Sequence, residues 1–591
     1  VTTTLTPSTT AHLTPAAWAA ATRHVVAKAL AEFSHERLLV PHPLGGDRWR
    51  VTSDDGGTEY HFAARVLALD HWVVEPDTVV RLRGEQVAEL DALQFVIDLR
   101  GALDLTDAVL PVYLEEVSST LASRAFKAAR GGPSAAELVD ADLQTVEAAM
   151  TEGHPCFVAN NGRLGFSAAE YPAYAPEAAA PVALVWLAAR RDRSTFAASA
   201  DLTEEALLAG ELDQATRDRF TAVLTGLGLE PAAYRWIPVH PWQWENRVAV
   251  TFAQELATRE LVHLGEGDDE LQAQQSIRTL FNRSRPDRHY VKTALSVLNM
   301  GFLRGLSTEY MAVTPAINDW VHDLVTSDPV LSRCGFSILR ERAAVGFRSR
   351  WVEQATVAGS PYRKMLAALW RDSPVPALRP GQQLATMAAL LHVDDAGRPF
   401  VSALVERSGL PAREWLRRYL DAYLVPVVHC LTAHDLAFMP HGENLVLVLE
   451  DGVPVRAVMK DVGEEVVLMN TDVPLPAEVE RIRVTVPTSH VALSVQTDVF
   501  DCFFRFLSAL LHTDGVLPQD LFWAEVAQCL RAHAEATPEL AGRRVDLAAP
   551  TFPLSCLNRL QLRDNRQMVD LTDPSAALQL VGELANPLHG R

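Results

Sequence analysis

The sequence predicts an α+β chain of several domains with antiparallel sheets, on three observations. At 591 residues the chain exceeds what one hydrophobic core holds, so two to four domains are expected. Segments with apolar residues at helical spacing and segments with period-two alternation both recur along it. Asp451-Gly452, flanked by the apolar runs Leu445 to Glu450 and Val453 to Lys460, signals a two-residue antiparallel hairpin, because both turn residues tolerate positive φ.

Taken in order, Thr14-Pro15 opens a helix with a capping hydroxyl and a first-turn proline, and Trp18, Val25, Ala29 and Phe33 form its apolar face. Glu59 to Val74 alternates as strands. Pro111 to Arg130 reads as a helix that Gly131-Gly132-Pro133 breaks, and Ser134 caps another carrying Val139, Leu143, Val146 and Met150. Gly153 to Phe166 is a turn-rich loop joining short strands, in which Pro155 restricts the backbone of His154. Asp201 to Leu224 is helical, and Ile237 to Trp244 is a rigid aromatic loop around His240. Tyr290 to Leu298 alternates as a half-buried strand. Helices are expected over Asn318 to Leu369, Gly381 to Leu391 and Trp415 to His434, with Pro374, Pro376 and Pro380 marking a domain boundary. Ser494 to Leu511 reads as a helix whose Asp501–Arg505 pair, if exposed, contributes a few tenths of a kcal/mol. Helices and a loose tail follow Val516. The expected units are 1–152, 153–373 and 374–591.

Composition narrows the function. A formal charge of -21 argues against nucleic acid as the main partner, which requires extended basic surface. The six cysteines are scattered without a C-x-x-C pair, so they read as buried thiols in a reducing compartment. The Thr-rich start lacks signal-peptide regions, and no apolar run approaches the ~18 residues that span a bilayer. A cytoplasmic protein without membrane contact is expected.

Two stretches carry the chemistry. Closing the hairpin brings Asn444 beside Asp461, with His441, Glu443 and Glu464 nearby. Oxygen donors gathered at strand ends suit a hard cation such as Mg²⁺, and Asp461, Asn444 and Glu464 are its candidate ligands. From Ser276 to Arg304, six basic residues face only Asp287. Such a local excess in an acidic chain points to a bound anion, and a triphosphate is the natural candidate. Arg283, Arg285 and Arg288 read as a solvated loop, whereas Lys292 lies in the strand and Arg304 beyond it. His154 and Arg163 together are suited to a carboxylate or phosphate.

These residues together resemble the siderophore synthetases that act without a nonribosomal peptide synthetase, the aerobactin-synthetase-like IucA/IucC family. The resemblance spans nearly the whole chain and rests on Gly153-His154-Pro155 with Arg163 and Gly165, His240-Pro241-Trp242-Gln243, Ser276-x-Arg278-Thr279 with Lys292 and Arg304, and His441-x-x-Asn444 with Asp461. The runs Gly153 to Arg163 and Pro440 to Asn444 resemble the desferrioxamine-type branch most.

Membership would imply a cupped hand of thumb (1–152), fingers (153–373) and palm (374–591), a homodimer, and ATP with Mg²⁺ as cofactors. Carried over by position, Ser276, Arg278, Thr279 and Lys292 contact the ATP phosphates, while Asn444 and Asp461 serve nucleotide and metal. His154, Arg304 and His441 are the catalytic candidates around the reacting carboxylate, with Arg163 and Glu443 also binding substrate. Phe157-Val158 and Asn161 stand where many relatives have a second His-Pro and a Lys. That departure favours a monoamide of a dicarboxylic acid, resembling N-hydroxy-N-succinylcadaverine, over citrate. The implied reaction adenylates this hydroxamate carboxylate and joins it to an amine, iteratively and with optional ring closure. Two rival readings stay open at this point. One is a kinase-like phosphotransferase, in which Met439 stands where the catalytic Asp belongs; the other is a non-catalytic binder of an anionic siderophore.

Overall fold

The computed structural model describes residues 9–564 and 579–591; the first eight residues of the Thr-rich start lie outside them. Thr14 caps the helix Pro15–His35 by accepting the Ala17 N–H, as predicted. Val25, Val26, Leu30 and Phe33 pack beneath it against Tyr60 and Phe62 of the strand Thr58–Leu67 and against Tyr113 and Val117 of the helix Leu110–Arg130. This first core is closed by Val158, Ala159 and Leu562 from far along the chain.

A second core fills the space behind a six-stranded antiparallel sheet, in the order Leu271–Ala273, Thr279–Asn282, Tyr290–Thr293, Ala367–Arg371, Glu341–Phe347 and Ser194–Ala198. The third and largest core surrounds the helix Ala412–His434, whose Trp415, Tyr419 and Tyr423 are fully buried. It also draws in Leu138, Val146, Ile317 and Val321, so the three cores interlock. On it lies a four-stranded sheet in the order Ser337–Ile338, Val453–Met459, Leu445–Glu450 and Gln382–Thr386. The predicted hairpin forms with Asp451 at φ 48° and Gly452 at φ 77°, and Trp415 Nε1 donates to the Gly452 carbonyl at 2.9 Å, pinning the turn to the helix.

Several segments differ from expectation. Asp142 caps a separate helix Leu143–Ala149, so the helix begun at Ser134 ends at Leu138. Asp213 likewise starts a second helix within 201–224. The strand carrying Lys292 is shorter, Tyr290–Thr293, and buried on both faces. Glu341–Phe347, Ala367–Arg371 and Gln382–Thr386 are strands where helices were expected. Short apolar runs such as Met365 to Trp370 satisfy either periodicity, and sheet partners decide between them. Arg288 is not solvated: it is buried and ion-paired to Asp269 at 2.5 Å. The chain's end is no loose tail in its described part, because Thr551–Ser555 pairs with Leu580–Ala585 and the helix Leu557–Arg563 docks on the first core.

The largest correction concerns Asp501 and Arg505. Both are buried, on a continuous helical stretch that includes a π-helical segment Gln496–Phe504. Arg505 donates to Glu32 at 2.9 and 3.2 Å and pairs with Asp501 at 2.9 Å, while His35 reaches Asp501 at 3.1 Å. This network welds the first helix to the last third of the chain. Removing one partner strands a buried charge, so Arg505→Met is expected to cost about 3–5 kcal/mol, measured as a fall in chemical-denaturation midpoint. A loss below about 1 kcal/mol would return the pair to the surface role first assigned to it.

Candidate active site

The hairpin's open end and the basic stretch meet in one cleft. The register Thr279↔Lys292 and Tyr290↔Arg371 sets the strands that carry Lys292 and Arg371 side by side, with Thr279 opposite Lys292. Lys292 Nζ donates to Asp461 Oδ1 at 2.7 Å and to Glu464 Oε2 at 3.0 Å, and Arg371 Nη1 to Asp461 Oδ2 at 3.0 Å. Asp461 takes a left-handed conformation, φ 58°, which turns the chain out of the strand and into the short helix Val462–Glu465. Gly463 follows because an added Cβ would collide with Glu341 and Thr314. Glu341 in turn accepts the Gly463 N–H at 2.9 Å and an Asn318 amide N–H at 3.1 Å. Asn444 donates to Glu465 and to the Met439 carbonyl, which fixes its amide group.

Ser276 and Arg278 flank Ile277, whose φ of 59° is an outlier for a β-branched residue. Packing overrides that strain: Ile277 is fully buried against Trp242, Leu295 and Val297. Here the His240-Pro241-Trp242-Gln243 loop finds its role. His240 caps the short helix Pro241–Gln243, and Gln243 exchanges hydrogen bonds with Ser296 while also donating to the Met365 carbonyl. The loop holds the segment leading to Arg304; it is scaffold. Arg304 Nη2 donates to Asn299 Oδ1 at 2.8 Å, and Asn299 donates to the Gly162 carbonyl at 2.8 Å.

Several donors of this cleft lack an acceptor. Ser276 Oγ, Arg278 Nε, Arg304 Nε, Arg371 Nε and His154 Nδ1 are buried with no hydrogen-bond partner. Buried polar groups are normally satisfied, so this cluster fits an anionic ligand. Thr279 is buried beside Lys292.

The electrostatics agree. Burial opposes ionisation of Asp461, but Lys292, Arg371 and Lys460 hold its carboxyl well below the usual range. Burial followed by the Asp461 charge pushes Glu465 up to about 8. Burial, reinforced by Lys460, lowers His441 to about 4, and burial with His441 nearby holds His154 well below its usual value. Both imidazoles are therefore neutral at pH 7. Their ring centroids lie 5.6 Å apart, and His441 Nδ1 accepts the Glu443 N–H at 3.3 Å, which leaves His441 Nε2 as a donor.

Beside them opens a cavity of about 330 Å³, lined by His154, His441 and Glu443 at one side and by Leu391, Phe503 and Phe506 along apolar walls. Gly442 permits this close assembly, since a Cβ there would lie 2.7 Å from the Phe503 ring. Arg163 is buried with Glu177 at 3.6 Å, and its Nε has no hydrogen-bond partner. The helix Leu557–Arg563 buttresses the His154 loop, with Asn558 accepting the Val158 N–H and donating to the Cys156 carbonyl.

Comparison with known proteins decides the family. Residues 142–392 match the IucA / IucC family, and residues 413–570 match the family described as ferric iron reductase FhuF-like transporter. The chain is 46% identical over 589 residues to a putrebactin synthase of Shewanella sp. (strain MR-4), covering 98% of this chain and 93% of that one. It belongs to the IucA / IucC family. An aerobactin synthase of Escherichia coli is 30% identical over 535 residues, 89% of this chain and 90% of that one. The solved aerobactin synthetase IucC of Klebsiella pneumoniae superposes with a TM-score of 0.84 at 28% identity, over 97% and 98% of the two chains. AsbB of Bacillus anthracis shares the fold, with a TM-score of 0.85 at 23% identity over 97% and 96%. The relatives are named as synthases and ligases, and this IucA / IucC member is a ligase of siderophore biosynthesis. Neither the phosphotransferase nor the passive siderophore binder survives that placement. Among the described residues, no helix is long and apolar enough to cross a membrane.

Sequence reasoning missed Arg371, Glu341, Glu465 and Asn299. Glu341 lies in a stretch read as helix and Arg371 just past its end, so their approach to Lys292 and Asp461 had no visible signal. Glu465 adjoins the named Glu464 and was within reach of the same argument.

Proposed function

We propose that this ligase uses ATP and Mg²⁺ in the cytoplasm to adenylate the carboxylate of a succinyl-hydroxamate monomer resembling N-hydroxy-N-succinylcadaverine. It then condenses that carboxyl with an amine, iteratively and with optional ring closure to a desferrioxamine-type siderophore. The observation that carries the reading is the set of unpartnered buried donors facing the Asp461 hairpin beside the cavity. The putrebactin synthase relationship supports a hydroxamate over citrate. We assign 1–152 as thumb, 153–373 as fingers and 374–591 as palm, in a homodimer.

A carboxylate approaches a triphosphate against strong repulsion, which fixed positive charge offsets in a water-poor site. Ser276, Arg278, Thr279 and Lys292 hold the phosphates. Arg304, with the neutral His154 and His441 as donors, orients the carboxylate oxygen toward the α-phosphorus. The new O–P bond forms as pyrophosphate leaves. The amine then attacks the acyl carbonyl, AMP departs, and Glu443 takes the amine's proton. Burial raises the Glu443 carboxyl above its usual range, toward the value a general base needs. The oxygen donors Asp461, Asn444 and Glu464 fit a hard divalent cation; Mg²⁺, when bound there, supplies charge neutralisation of the phosphates.

The test is product analysis with N-hydroxy-N-succinylcadaverine, ATP and Mg²⁺. Pyrophosphate, AMP and amide-linked oligomers by mass spectrometry are expected. ADP release, or turnover with citrate in place of the hydroxamate, would overturn the reading.

A further inference from the structure

Outside the cleft, a second polar cluster is built into the third core. We propose that Asp328, His429 and His434 form a binding site for a borderline divalent cation of the first transition row, Zn²⁺ foremost. Their ligand atoms lie within 4.8 Å of one another, and none of the three lines the reaction cavity. Asp328 Oδ2 stands 3.1 Å from His429 Nε2 and 2.9 Å from His434 Nε2. Tetrahedral zinc with bonds of about 2.0–2.1 Å sets its ligands roughly 3.3 Å apart. The two carboxylate–imidazole distances therefore need to spread by only a few tenths of an ångström, and the two imidazole nitrogens lie within 4.8 Å of each other.

The site is preorganised by three helices. His429 and His434 occupy the last turns of the helix Ala412–His434. Asp328 caps the helix Pro329–Cys334, its Oδ1 accepting from Val330 and Leu331 at 2.7 and 3.0 Å, which leaves Oδ2 for the ion. His533, from the helix Gln519–Ala536, places Nε2 3.1 Å from His429 Nδ1. When His429 ligates through Nε2, its proton moves to Nδ1 and His533 accepts it. Histidines that bind metals are held by such outer partners. Asp328 stays ionised: burial is outweighed by the Leu331 N–H and the two imidazoles, and its carboxyl falls to about 2. His434 is 27% exposed, giving an entry path and a fourth position for water. Two imidazoles and a carboxylate select Zn²⁺ or Fe²⁺ over Mg²⁺.

The experiment uses the full chain, freed of metal by dialysis against a chelator. It is titrated with Zn²⁺ against a chromophoric competitor, with Co²⁺ as a spectroscopic probe, and anaerobically with Fe²⁺. One equivalent of Zn²⁺ is expected to bind, to give a four-coordinate Co²⁺ spectrum and to raise the melting temperature. Excess Mg²⁺ is expected to leave it in place, and Fe²⁺ to bind more weakly. His434→Ala should weaken Zn²⁺ at least about 100-fold, and His533→Gln about 10-fold. His441→Ala and Asp461→Asn, which alter the reaction cleft instead, should leave this equivalent bound. If the His434→Ala chain retains Zn²⁺ as wild type does, or wild type takes up none above weak surface binding, the cluster is a hydrogen-bonded staple and the proposal fails. His434 is half-buried at a helix end, so its variant is expected to fold, and circular dichroism checks this.

Discussion

Asp461→Asn is expected to lower the adenylation rate by about a thousandfold, equivalent to about 4 kcal/mol of barrier, while the chain still folds. The carboxylate joins two halves of the cleft, since it receives Lys292 from one sheet and Arg371 from the neighbouring strand. Without its charge both cations lose their shared partner, and the strongest oxygen donor for a divalent ion disappears. Folding is expected to survive because Lys292 keeps Glu464 at 3.0 Å, with Glu341 3.9 Å away, and Arg371 keeps its place over the Tyr290 ring. Glu464→Gln should be milder, because Arg278 approaches that carboxylate only to 3.9 Å. Pyrophosphate release followed with ATP and hydroxamate decides the matter. A wild-type rate in Asp461→Asn would remove this residue from the nucleotide and metal site.

How much of this was legible depended on whether the signal was local. The hairpin was read correctly because Asp451-Gly452 demands positive φ at both positions, a constraint written into two adjacent residues. Thr14-Pro15 was legible for the same reason. Lys292 and Asp461 were each singled out through charge, one in a basic stretch of an acidic chain and the other in a cluster of oxygen donors, and the structure brings them together at 2.7 Å. What failed was long-range. The run leading to Arg371 carries no period that separates a buried strand from a helix, and its strand identity comes from pairing with Tyr290–Thr293 and Glu341–Phe347. Arg505 was misplaced because its partner Glu32 lies 473 positions away. An i,i+4 spacing predicts a surface pair only when nothing else covers the helix.

Arg304→Ala is expected to cut adenylation by about two to three orders of magnitude, and Arg304→Lys separates charge from shape. The guanidinium is buried and held by Asn299 at 2.8 Å. Burial, followed by repulsion from Arg278, pulls it down to about 10, which keeps it fully charged at pH 7–8. A lysine there suffers the same burial and the same repulsion but begins about two units lower. Arg304→Lys is therefore expected to retain part of the activity at pH 7 and to lose it as pH rises, an alkaline limb absent from wild type over the same range. Charge alone explains that limb; the activity missing even at pH 7 measures the planar fork, which an ammonium does not reproduce at a carboxylate. Asn299→Ala isolates positioning: Arg304 keeps its charge without its anchor, so kcat should fall with no new pH dependence. If Arg304→Ala releases pyrophosphate at the wild-type rate, Arg304 supports the fold, and the carboxylate must find its cation in Arg278 or Lys460.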